Sequence, residues 1–167
     1  MKFFNWLKSL FKKDKIILKP SEVSEAVVYL PLHYTIAVQE LGVAEIQGKT
    51  HNSRILKYHL TTTLKASDDE TPWCSSFANW CVIESGKKGT GSAMARSWLK
   101  WGEPVDIPKV GDVVVFWREN KNSSKGHVAF YSSSDDKYIT VLGGNQTNKV
   151  CYAKYPRAQL LGYRRAV

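Results

Sequence analysis

A chain of 167 residues, 43% hydrophobic and 23% charged, is long enough for one domain with a real core and too short for two comfortable ones. That composition excludes a collagenous, wholly disordered or disulfide-framed protein, and no apolar run approaches the roughly 20 residues of a membrane-crossing helix. The net charge of +9 favours polyanionic partners, but no recognisable nucleic-acid-binding motif accompanies it, so no specific nucleic acid is expected.

In chain order, residues 1–13 place Phe3, Phe4, Leu7, Leu10 and Phe11 on one face at helical spacing, with Lys2, Lys8, Lys12 and Lys13 elsewhere. Two readings of this short basic amphipathic helix stand. It contacts an anionic membrane surface, or it packs its apolar face on the domain. Asn5, Lys8 and Ser9 interrupt the apolar residues, so no secretory leader is expected and synthesis in the cytoplasm follows. Residues 14–31 read as a connector with a β-prone stretch at 26–30. The expected division is a basic segment over 1–31 and a folded domain over 32–167.

The spacing predicts a helix over His33–Leu41 stopped by Gly42, and a second capped by Asn52 or Ser53 and running to Leu60. A third opens with Thr71 as N-cap and Pro72 at the first helical position and ends at Gly86. Ser92–Trp101 reads as a fourth. After Pro108 the pattern turns to strands. Val113–Trp117 is a continuous apolar run. Val128–Tyr131 and Tyr138–Leu142 form a hairpin about a turn at 132–136. Val150–Ala153 and Leu160–Tyr163 follow. Helices first and antiparallel strands afterwards define an α+β fold.

A thiol is a strong nucleophile only as thiolate, and a helix N-terminus favours that form. Of the three cysteines, Cys74 stands at the start of the third helix, whereas Cys81 and Cys151 read as small core hydrophobes. The odd count leaves at least one thiol free in a monomer. No Cys or His pair has zinc-finger spacing, and neither metal nor organic cofactor is expected. His127 starts the first hairpin strand behind Gly126. Folding the hairpin about its turn sets His127 opposite Leu142 and brings Asn145 within reach of the ring, where an amide oxygen can orient an imidazole. Each residue alone has a bland reading: a buried thiol, a surface histidine, a turn asparagine. Together, in that chain order, they make the set an activated thiolate needs.

The runs Pro72-Trp73-Cys74-Ser75-Ser76-Phe77-Ala78-Asn79-Trp80, Gly89-Thr90-Gly91-Ser92-Ala93 through Ser97-Trp98, Gly111-Asp112-Val113-Val114-Val115-Phe116, Gly126-His127-Val128 and Gly143-Gly144-Asn145-Gln146 resemble the CHAP and NlpC-like cysteine hydrolases, in a phage and bacterial subgroup with a Pro-Trp-Cys motif. The likeness extends from about Ala37 to Arg164. It implies a papain-like core, N-terminal helices packed on an antiparallel β-sheet, with Cys74 as nucleophile, His127 as base and Asn145 as the third polar group. Many CHAP members carry an acidic residue where this chain has Gly143. The resemblance implies peptidoglycan as substrate, cut as an amidase or a stem-peptide endopeptidase. Trp73, Glu45 and Asn52 are candidate substrate contacts, each with a structural alternative in core packing, capping or surface pairing.

On that reading the protein is a bacteriolytic phage endolysin or a cell-wall lytic effector. It acts at the wall after release or secretion, with a holin, a secretion machine or an immunity protein as partner. The rivals are a transglutaminase-like acyltransferase on the same triad and a catalytically idle wall- or membrane-binding module.

Overall fold

The computed structural model describes residues 30–167; the amphipathic segment at 1–13 and nearly all of the connector lie outside the described residues. Three helices come first: α1 (Leu32–Gln39), α2 (Ser53–His59) and α3 (Cys74–Glu84). A 3₁₀ helix follows at Ala95–Lys100, then β1 (Glu103–Val105), β2 (Val113–Trp117), β3 (Gly126–Ser134), β4 (Tyr138–Gln146), β5 (Lys149–Pro156) and β6 (Leu160–Arg165). The strands form one antiparallel sheet in the order β1-β6-β2-β3-β4-β5. The α+β expectation holds.

The continuous apolar run of β2 has a direct cause. Val113 and Val115 face the helices, Val114 and Phe116 face a second cluster with Ala129, Ile139, Val141 and Tyr163, and these four of the five β2 residues are fully buried. A strand covered on both faces loses the polar alternation of a half-exposed one.

Helix α3 packs on β3 and β4, with α1 and α2 against its other side. It is buried along its whole length from Cys74 to Val82, so its polar residues must find partners inside. Ser75 Oγ donates to the Ser92 carbonyl and accepts from the Trp98 indole N–H. The Asn79 carboxamide accepts from the Gly91 N–H and donates to the Ser92 carbonyl. These bonds strap the Gly-rich stretch 89–92 to the helix that carries the candidate nucleophile. On the far side Glu40 accepts from Arg54 and from the Tyr58 hydroxyl, and the Arg54 guanidinium lies 4.3 Å over the Trp80 ring. Partner and aromatic face together offset the desolvation of that ion pair.

Three expectations need correction. Helix α3 starts at Cys74, with Trp73 rather than Thr71 as its N-cap, because Asp68 takes both the Thr71 N–H (2.6 Å) and the Thr71 hydroxyl (3.0 Å). The fourth helix is two turns of 3₁₀ helix over Ala95–Lys100. The β3–β4 hairpin turns at Asp135–Lys137, so Phe130 rather than His127 lies opposite Leu142. Strand β1, three residues with a proline at the sheet edge, is too short to give a signal.

Gly144 lets the sheet close on the nucleophile helix. A Cβ there would stand 2.5 Å from the Trp73 ring and 2.7 Å from Phe77 Cβ. Gly126 does the same between strands, where a Cβ would meet the Phe116 carbonyl oxygen at 2.8 Å.

Candidate active site

Cys74 is the first residue of α3, so the unpaired N–H groups of the helix start surround its sulfur. The Cys74 and Ser75 N–H groups and the N–H of Val128, the residue after His127, all favour the thiolate, as does the charge of Arg118. Burial is larger than any of these and pushes the thiol up. The helix start alone therefore does not hold Cys74 ionised in the resting protein. Cys81 is fully buried and pushed up further, and Cys151 is half-buried; all three cysteines are free.

His127 is fully buried and stacked 4.9 Å from Tyr155, which in turn stacks 4.6 Å from Phe116. Its Nε2 lies 3.1 Å from Gln146 Oε1. The Gln146 amide is itself oriented, because its Nε2 donates to the Cys151 carbonyl. That leaves Oε1 as the acceptor, so the imidazole carries its proton on Nε2 and its lone pair on Nδ1. Arg118 Nη2 stands 3.4 Å from that Nδ1. Burial first and the Arg118 charge second push His127 down to about 3, against the opposing pull of Gln146. The other histidines are spent on structure. His33 bonds the Gly111 carbonyl, His51 pairs with Asp69, and His59 bonds Ser76.

The residue that meets the imidazole is thus Gln146, one position beyond the expected Asn145. Between Gly143 and Gln146 the β4–β5 register slips, and Asn145 sits at φ 54°. This bulge takes up one residue and turns Gln146, 3% exposed, inward. Thr147 and Asn148, both at positive φ, then close a two-residue hairpin turn. Asn145 lines a cavity of about 750 Å³ instead, together with Glu45, Glu70 and Arg118.

A second cavity, of about 340 Å³, holds Cys74, Met94, Arg118 and Lys125. Pro72 and Arg118 line both, so the two cavities form the arms of one cleft. A separate hollow of about 320 Å³ beside His33 and Arg165 shares no lining residue with them.

Of the expected substrate contacts, Glu45 is in the cleft. Trp73 is fully buried behind it and donates its indole N–H to Glu45 Oε1 at 2.8 Å. Asn52 caps α2 by accepting from the Arg54 N–H and donates to the Ala44 carbonyl. Sequence reasoning missed Gln146, Arg118 and Tyr155. Gln146 had a visible signal, a polar side chain adjoining the expected one. Arg118 and Tyr155 had none. Among the described residues no group of three His, Cys, Asp or Glu gathers to hold a metal, and no helix is long and apolar enough to cross a membrane.

This helix-on-sheet arrangement is papain-like in the NlpC/P60 manner. It is similar, at 17% identity and a TM-score of 0.50, to a lipoprotein-like NLP/P60-family protein of Staphylococcus aureus, covering 100% of this chain and 49% of that one. The chain thus spans about half the length of that relative. The P60 domain of an antigen from M. avium paratuberculosis is similar at 16% identity and a TM-score of 0.47, over 81% of this chain and 90% of that domain. No curated protein matches. More specifically, residues 66–145 match the CHAP domain, and the recognition made from the motifs holds there. The match takes in Cys74 and His127, stops one residue before Gln146, and supports a cell-wall hydrolase family.

Proposed function

We propose that the protein is a peptidoglycan hydrolase, an amidase or stem-peptide endopeptidase, with Cys74 as nucleophile, His127 as base and Gln146 as the group that orients the base. The observation that carries this reading is the chain from the Cys151 carbonyl through the Gln146 amide to His127 Nε2, which leaves Nδ1 as a proton acceptor beside the cleft that holds Cys74. A neutral imidazole of that tautomer takes the thiol proton as sulfur attacks the peptide carbonyl. The Cys74 N–H at the helix start faces the developing oxyanion. The imidazolium protonates the leaving amine, and water, deprotonated by the same nitrogen, resolves the thioester. Asn145 and Glu45 contact substrate from the wider arm, and Trp73 and Asn52 act behind them by holding Glu45 and the α2 start.

Residues 32–167 form the catalytic domain, and 1–31 are a basic amphipathic segment and connector, of which residues 1–13 meet an anionic membrane or pack on the domain. The site of action is the wall, reached by phage lysis or by a secretion route. The test is to incubate wild type and Cys74→Ala with insoluble sacculi of several wall types and read soluble fragments by mass spectrometry. Release by wild type alone supports hydrolysis and the masses name the bond. Release by neither, with product coupled to an added amine, would turn the reading to acyl transfer.

A further inference from the structure

Arg118 differs from every other arginine among the described residues. Arg54 and Arg165 are paired with carboxylates, Glu40 and Asp112. Arg96, Arg157 and Arg164 donate to backbone carbonyls. The Arg118 guanidinium has neither. Its neighbours are a ring nitrogen, His127 Nδ1 at 3.4 Å, and the Tyr155 hydroxyl. It takes part in none of the ion pairs formed among the described residues. Yet it stands where the two arms of the cleft meet.

The arms have opposite character. The wider one carries Glu45 and Glu70; the narrower one, with Cys74, carries Lys125 and no acidic residue. Lys125 is already held by Glu119 at 2.5 Å, so Arg118 is the cation there without an anion. A planar guanidinium with open donors is suited to a carboxylate, which it grips through two parallel bonds.

Its present contact is also the wrong one for catalysis. The nitrogen that must accept the thiol proton is occupied by a cation, and that cation opposes a second positive charge on the ring. The groups facing the ring are Arg118, Gln146 and Tyr155, with Cys74 at the adjoining Val128 peptide, and Arg118 alone among them is charged in the resting state. Drawing the guanidinium onto an anion frees Nδ1 and removes the opposing charge in one movement.

We infer that Arg118 is the carboxylate-reading residue of the cleft: a carboxylate on the peptide substrate, seated in the narrow arm beside Cys74, pairs with Arg118 and releases His127 Nδ1 to act as base. This rests on the hydrolase reading for its substrate class, but the binding event stands without turnover.

The experiment uses a soluble stem peptide with a free carboxylate beside the candidate scissile bond, and the same peptide with that group capped as a carboxamide. Each is titrated calorimetrically into Cys74→Ala and into Cys74→Ala with Arg118→Gln or Arg118→Lys. The expected result is about tenfold tighter binding of the acid than of the amide, lost with Gln and partly kept with Lys. In parallel, the His127 ring signal of Cys74→Ala is followed by NMR against pH. Its midpoint should rise on adding the acid peptide, move little with the amide, and start higher in the Arg118→Gln background. A merely structural Arg118 would weaken both peptides alike and leave their ratio unchanged. Equal binding of the two peptides, binding of neither, or a His127 midpoint indifferent to the acid overturns the inference. If wild type cleaves neither peptide while the acid preference and the NMR shift are present, the hydrolase reading fails and the carboxylate site survives.

Discussion

Gln146 and Cys151 face each other across the β4–β5 hairpin, and the side-chain amide of the first is fixed by the main-chain carbonyl of the second. Gln146 is thereby held with its oxygen toward His127, and the protonation pattern of the ring follows.

Replacing Gln146 by Ala leaves the Nε2–H without an acceptor and the ring free to take the other tautomer. Hydrolysis of sacculi should fall about 100-fold, mainly in kcat. Asn145→Ala should cost less than about fivefold, through KM, because residue 145 lines the cleft and does not touch the ring. Steady-state kinetics on the two variants decides which is the third catalytic position.

The thiol of Cys74 is held up by burial, so the resting site contains no stable thiolate. Alkylation by iodoacetamide in the absence of substrate should be slow at neutral pH and should accelerate on the alkaline side of an ordinary thiol, followed by mass spectrometry. An ion pair formed at rest would instead give a reactivity plateau below neutrality.

Buried His127 stays neutral in the fold, whereas in the unfolded chain it titrates near 6.5. Below 6.5 the unfolded state binds a proton that the folded state refuses, so this group favours unfolding increasingly as pH falls toward about 3. His33 and His59, also lowered by burial, act in the same direction. Urea midpoints should therefore drop between pH 6.5 and about 4.5, before the lowered carboxyls of Glu40 and Asp69 titrate. In His127→Gln the decline should be shallower by roughly 1 kcal/mol per pH unit.

Gly144→Ala puts a methyl into the Trp73 ring and Phe77, both buried. The helix and sheet must separate, at a cost of about 1–3 kcal/mol in denaturant unfolding. Because Trp73 precedes Cys74, activity at temperatures where the variant remains folded should fall as well. A variant as stable and as active as wild type would show that the contact is not tight.

Much of this was legible in residue order. Gly42, Asn52 and Gly86 mark helix boundaries by local rules, and the run at Val113–Trp117 reads directly as a buried strand. The places of the candidate nucleophile and base were readable because each depends on its own element: a cysteine at a helix start, a histidine at a strand end. What escaped depends on pairs of elements. Thr71 is an ordinary cap until Asp68 claims it. Asn145 is the natural partner of a histidine until a bulge between β4 and β5 turns its neighbour inward. Arg118 follows β2 and reaches the ring only through the β2–β3 pairing.

The atom that orients Gln146 belongs to the peptide backbone, and every amino acid supplies one. Residue 151 can thus hold the Gln146 amide under any side chain, and the Cys151 thiol adds a separate bond, donated to the Gln146 carbonyl at 3.2 Å. A role carried in this way leaves no mark on residue identity, so two homologues that differ there can run the same proton inventory, and a comparison of letters would pass over the position without notice.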